Sequence, residues 1–290
     1  MQHINLSKYF QSGLFLKNKT IKEKFEVIIL ENNFVSSENL DSFDKILFLS
    51  DEHKKHTNQT RFRQSLFDQH KKILYINQLP CKNIEFGNLI KNQKLCFINL
   101  NCGISSLRKI IENNDIEYMS KQGFEICEPF DLVNTFYILN SITKPTYIRI
   151  NNQEIPANII LDRKISERGV IQFINNKNNP VSIIVGNFLN TMIETYPKLQ
   201  AENIKCDILI VDYKFGEDFN NILQNSNKTI IFVDQEHPNN LIQIPQNLKN
   251  KVFFVEPQYS KITTILSEYQ FQQSQFDHDF LKTIKNIIFT

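Results

Sequence analysis

Glycine is what this sequence has least of against expectation: seven residues in 290, where an average chain carries roughly 7%. They stand singly at positions 13, 87, 103, 123, 169, 186 and 216, and no GxGxxG, GxxxxGK(S/T) or Gly-Asp-Gly occurs. Loops that grip phosphate bring bare backbone close to it and depend on clustered glycine. A ligand carrying a diphosphate is therefore expected to have that group held by another chain. The five cysteines show no CxxC spacing, which excludes the common zinc and redox motifs. They read as small buried apolar residues in a reducing compartment. The six histidines form no local metal pattern; His53 and His56 lie in a run with Lys54, Lys55 and Thr57 that reads as solvated surface. The absence of tryptophan excludes nothing.

Long apolar runs are missing too. Nothing approaches the roughly 18 residues of a membrane helix, and no membrane partner is expected. Charge of one sign is not in excess: 33 Lys+Arg stand against 31 Asp+Glu, a net +2. A protein that neutralises many phosphates needs a basic surplus, so nucleic acid is not an expected partner. Met1 to Lys8 lacks the basic-then-apolar pattern of a secretory signal, and the cytoplasm is the expected location.

What is present is alternation. Strand-length apolar runs occur at Phe25–Leu30, Lys45–Leu49, Ile73–Asn77, Leu95–Asn99, Thr146–Ile150, Val181–Val185, Cys206–Val211, Thr229–Val233 and Val252–Val255. Several lack polar alternation, which predicts strands covered on both faces. Between them lie helical periods. Arg61–His70 brings Phe62, Leu66 and His70 together, and Asn187–Leu199 does the same for Phe188, Met192, Ile193, Tyr196 and Leu199. Leu132, Val133, Phe136, Tyr137 and Leu139 are expected to share one helical face behind an N-cap at Asp131. The fold class is α/β, in two domains that are each a mainly parallel sheet flanked by helices. The polar stretch around Pro156 sets the expected division: a domain over 1–150, a linker over 151–167 and a domain over 168–290.

The order of these elements resembles a known family. Glu128-Pro-Phe-Asp-Leu-Val, followed by Lys144-Pro-Thr-Tyr-Ile-Arg149, is similar to the end of the pyrimidine-binding domain of transketolases and their relatives. Arg168-Gly-Val and Asn179-Pro-Val-Ser-Ile-Ile-Val-Gly186 resemble the start of that family's C-terminal domain. The strand Thr229–Val233 runs into Asp234-Gln-Glu-His237, similar to the family's Glu-Glu-His, and helical segments at Tyr259–Tyr269 and Asp277–Ile288 follow in their places. The likeness spans Ile126 to the end. It is thinner before that, where the stretch between Asn114 and Phe124 is shorter than in relatives.

The resemblance implies a thiamine-diphosphate-binding fold, here degenerate, followed by a transketolase C-terminal-like domain. It implies the second half of a split transketolase or 1-deoxyxylulose-5-phosphate synthase-like enzyme, moving a two-carbon ketol unit between sugars or sugar phosphates. The cofactor would be thiamine diphosphate with Mg2+, the diphosphate and metal held by a separate N-terminal-type subunit in a dimer or heterotetramer. Relatives place a glutamate against a ring nitrogen of the aminopyrimidine, in Gly-Ile-Ala-Glu-Gln. This sequence has Tyr75-Ile-Asn-Gln78 there, so Asn77 and Gln78 fall at the cofactor, and an amide cannot exchange a proton as a carboxyl does. A second alignment gives Glu85 the catalytic place, against its reading as an exposed surface glutamate. Phe97 would pack on the pyrimidine or be plain core. His237, at a strand end, is a catalytic candidate or an interface residue. Arg149 is read as a structural salt link rather than a substrate contact. The alternative reading is a catalytically degenerate partner subunit with a structural or regulatory role.

Overall fold

A computed structural model of the chain describes residues 3–31, 46–49, 72–77, 94–102, 115–151, 154–156, 170–174, 179–185, 189–211, 213–214, 226–233, 251–255 and 281–289. The chain forms two compact units, residues 1–103 with 109–157, and residues 158–290 with 104–108.

The first unit opens with β1 (His3–Asn5), α1 (Leu6–Gln11), a 3-10 turn (Leu14–Lys17) and α2 (Lys19–Lys24). β2 (Val27–Glu31), β3 (Ile46–Leu49), β4 (Lys72–Asn77), β5 (Lys94–Cys102), α3 (Asp115–Lys121), β6 (Glu125–Cys127), α4 (Leu132–Ser141), β7 (Thr146–Asn151) and β8 (Glu154–Pro156) follow. Strands β2 to β7 make a parallel sheet in the order β6-β7-β5-β4-β2-β3. The unalternated runs are explained by burial on both faces: Ile73 to Ile76 and Cys96 to Ile98 are each 0% exposed. β1 and β8 form a separate antiparallel pair.

The arm before β2 is part of this unit's core. Leu6, Phe10, Phe15 and Ile21 are buried, the Phe10 and Phe15 rings lie 5.0 Å apart, and Tyr9 meets Phe136 of α4 edge-on at 6.3 Å. Lys24 Nζ donates to the Asn140 carbonyl, placing a cation at the carboxyl end of α4, where the helix dipole favours it. Gly123 follows the end of α3, and its φ of 90° lets the Phe124 amide turn back to the Met119 carbonyl at 3.1 Å.

The face that α4 buries corrects the expectation from hydropathy. Asn134, Thr135, Ile138 and Leu139 are inside, while Val133 is 46% exposed and Phe136 and Tyr137 are half-buried. The cap decides the phase. Asp131 Oδ1 accepts from the Asn134 amide at 2.6 Å, and Asn134 Oδ1 accepts from the Phe130 amide. Thr135 Oγ1 donates to the Asp131 carbonyl at 2.8 Å. These bonds satisfy two polar side chains on the inner face, a face that a count of apolar residues cannot see.

The second unit contains β9 (Val170–Ile174), β10 (Val181–Val185), α5 (Leu189–Ala201), β11 (Cys206–Val211), the two-residue β12 (Tyr213–Lys214), β13 (Thr229–Val233), β14 (Val252–Val255) and a helix, α6, over 281–289. Its sheet runs β14-β13-β10-β11-β9. The pairs among β10, β11, β13 and β14 are parallel, and β9 is an antiparallel edge. Met192, Thr195 and Leu199 of α5 are buried, as is Ile284 of α6. Lys285 pairs with Glu202, joining α6 to the end of α5.

Candidate functional site

The parallel pairing of the first unit stacks side chains in rows across β4, β5 and β7. One row is aromatic. Tyr75, Phe97 and Tyr147 are in register and fully buried, with ring centroids 4.9 Å apart for Tyr75–Phe97 and 5.5 Å for Phe97–Tyr147. Two residues further toward the carboxyl ends, on the same face of a pleated sheet, the row turns polar: Asn77, Asn99 and Arg149. Ligands of open parallel sheets collect at this end.

The polar row is wired to two carboxylates from outside it. Arg149 Nε donates to Asp115 Oδ2 at 3.0 Å, at the start of α3. Its Nη1 donates to Glu128 Oε1, between β6 and the cap of α4. Tyr147 donates its hydroxyl proton to the same Asp115 Oδ2 at 2.6 Å. Because that proton is committed, the hydroxyl serves as acceptor for Asn99 Nδ2 at 2.9 Å. The side chains of Arg149, Glu128 and Asp115 are 2%, 3% and 7% exposed. Two acidic groups thus share one guanidinium in a dry setting. A buried charge of this kind is tolerated only with its partners in place.

A second polar cluster sits at the amino ends of the other sheet. Asn179 Nδ2 donates to Asp207 Oδ1 at 2.8 Å, and Lys228 pairs with Asp207 Oδ2. Asp207 is buried, while Lys228 is 22% exposed. Beside it, burial first and the Asp207 carboxylate second push the Cys206 thiol up to about 11. Burial likewise pushes the Cys96 thiol upward, against a smaller lowering by Lys24. Cys96, Cys127 and Cys206 are free and buried, as expected of structural cysteines, and the raised thiols are poor nucleophiles.

Of the residues singled out from the sequence, Asn77 stands at the last position of β4, 1% exposed. Phe97 lies in the aromatic row with Tyr75 and Tyr147 on either side. Arg149 makes the salt link assigned to it. Glu85, Gln78, His237 and the segments Arg61–His70 and Tyr259–Tyr269 lie outside the described residues. Asp115, Glu128, Tyr147 and Asn99 were not anticipated. Tyr147 lies two residues before Arg149 inside an otherwise apolar strand and Asn99 lies inside another, a signal open to the sequence; Asp115 and Glu128 lie outside the strands and carry no such mark. Among the described residues, no group of three or more His, Cys, Asp or Glu could hold a metal ion. No helix among them is long and apolar enough to cross a membrane.

The architecture is that of an α/β protein with two mainly parallel sheets and a small antiparallel pair, the first of the large sheets carrying a polar row at its carboxyl end. No family model matches the sequence, and a comparison with curated proteins finds no match. Solved structures do match, and the fold they share is that of transketolases. The transketolase of Campylobacter jejuni is 13% identical, with a TM-score of 0.66 over 97% of this chain and 47% of its own. A transketolase of Pichia stipitis in complex with sedoheptulose 7-phosphate is 10% identical, with a TM-score of 0.64 over 100% and 46%. A split-gene transketolase, an inactive β4 tetramer, is 12% identical, with a TM-score of 0.64 over 93% of this chain and 91% of its own. The chain therefore spans about half the length of the first two and nearly all of the third.

Proposed function

We propose that this chain is the second-half subunit of a split, thiamine-diphosphate-dependent transketolase-like enzyme that moves a two-carbon ketol unit between sugars or sugar phosphates. In this reading residues 1–150 are the pyrimidine-binding domain and 168–290 the C-terminal domain. The diphosphate and Mg2+ belong to a separate subunit. The observation that supports it is coverage: the same fold fills about half of two single-chain transketolases but 91% of a split-gene one. The scarcity of glycine agrees, because a diphosphate cradle elsewhere needs none here.

In this reading the chain takes the organic half of the cofactor, and among the described residues no group of three or more His, Cys, Asp or Glu could hold a metal ion. When bound, thiamine diphosphate supplies the carbanion that such chemistry requires. This chain's share is to hold and orient the ring. Asn77, at the carboxyl end of β4, would hydrogen-bond a ring nitrogen, with Gln78 next to it and Phe97 in the row beneath. Asn77 has no carboxyl proton to exchange, and both acids near its row are already bonded to Arg149. That observation favours the second reading, a partner subunit that keeps the fold without the chemistry. Glu85 is the residue that would restore the catalytic reading, and His237 a lesser one.

The test is co-expression with a transketolase N-terminal-type chain that carries Gly-Asp-Gly, followed by calorimetry with thiamine diphosphate and Mg2+ and an assay of ketol transfer. Binding with transfer, lost by about 100-fold or more in Glu85→Gln, supports the enzyme. Binding without transfer supports the degenerate partner, and transfer gained in Asn77→Glu would locate the defect. A complex that binds no cofactor ends both readings.

A further inference from the structure

The β1–β8 pair is a two-stranded sheet of its own, with His3 opposite Pro156, Ile4 opposite Ile155 and Asn5 opposite Glu154. β8 begins shortly after β7, the strand that carries Tyr147 and Arg149. A three-residue ladder in isolation is marginal in water, so its hold depends on what anchors its two strands. One anchor is the residue where β1 ends. Asn5 Oδ1 caps α1 by accepting from the Lys8 amide at 2.9 Å. From there α1 buries Leu6 and Phe10, packs against β7 and meets α4 through Tyr9 and Phe136. The other anchor is β7 itself, paired in register with β5. Both strands of the ladder lead back to the same buried strand within a few residues.

We propose that the β1–β8 ladder is a clasp. Residues 3–5 fasten residues 154–156, and with them the carboxyl end of β7, where Arg149 meets its two carboxylates. With so few main-chain bonds, the clasp opens by local unfolding while the pairing of β4 with β5 stays intact. It is the release point of the first unit, placed where that unit's chain ends. This inference does not depend on the proposed activity.

Hydrogen exchange on the full chain, read by mass spectrometry, tests it. Ile4→Pro is expected to speed exchange of amides 149–155 about tenfold, with amides 73–76 and 95–98 unchanged. Since that variant could disturb α1, the paired change Ile4→Cys with Ile155→Cys provides the opposite arm. Directly opposed ladder positions lie within the Cα spacing that a disulfide spans, so oxidation should slow the same amides about tenfold and reduction should restore them. The clasp is overturned if oxidation leaves amides 149–155 unchanged. It is equally overturned if Ile4→Pro speeds the sheet amides as much as those of 149–155, because opening would then be global.

Discussion

The two units place their buried charge at opposite ends of their sheets. The first holds Arg149, Asp115 and Glu128 toward the carboxyl ends, with every member at least nine-tenths buried. The second holds Asp207 at the amino ends, against an amide and a lysine that reaches water. Carboxyl ends are where ligands of such sheets gather, and the second cluster lies at the opposite end of its strands. The second cluster is a tie between the segments leading into β10 and β13. The first lies next to the row of Asn77 and Asn99, and it ties both nearby acids to Arg149. The difference also sets how much each cluster matters to folding. A charge with access to water can be rehydrated when its partner is lost, and a dry one cannot.

Removing Arg149 is the sharpest challenge to that comparison. Arg149→Met leaves two buried carboxylates without their cation, and urea unfolding should show a loss of about 3–5 kcal/mol. A loss no larger than that of the second cluster would break the contrast. Asp207→Ala comes next, at about 2–3 kcal/mol, because the Asn179 amide stays buried while Lys228 turns to solvent. Tyr147→Phe keeps the ring stack and removes one hydroxyl that both donates to Asp115 and accepts from Asn99. Its unfolding free energy should fall by about 1–2 kcal/mol. The smallest effect concerns Cys206. The folded thiol keeps its proton to about 11 against an ordinary 9.0. Its contribution to stability is therefore intact below pH 9 and is lost as pH rises through that interval. Iodoacetamide labelling of the native chain should be slow at pH 8 and quicken roughly tenfold per pH unit above it. Rapid labelling at pH 8 would show that the second unit's cluster is wetter than the contrast requires.

Much of the architecture could be read from residues in sequence. Each of the apolar runs from Phe25–Leu30 to Val252–Val255 overlaps a strand, because apolar runs of strand length, rich in β-branched and aromatic residues, suit the central strands of a covered sheet. Asp131 capped its helix as its position behind Pro129 suggested. The short strands escaped notice. β6 is three residues long, and β1 and β8 exist only through each other, so no local pattern marks them. The phase of α4 also escaped, since half of its buried face is Asn134 and Thr135.

The site was legible in pieces only. Asn77 at a strand end and Arg149 as a salt link follow from pattern and resemblance, because strand ends are local features. The partners of Arg149 lie 34 and 21 residues away in the chain, and Asn99 lies 48 from Tyr147. Sequence alone determined the positions of the apolar strands, the burial of Cys96, Cys127 and Cys206 and the want of a glycine-rich phosphate motif, all of which depend on neighbours along the chain. The tertiary structure decided which acid meets Arg149, which way the Asn99 amide points and what fastens the exit of β7. Those outcomes depend on parallel pairing that brings distant segments into one row, and no window of sequence contains both partners.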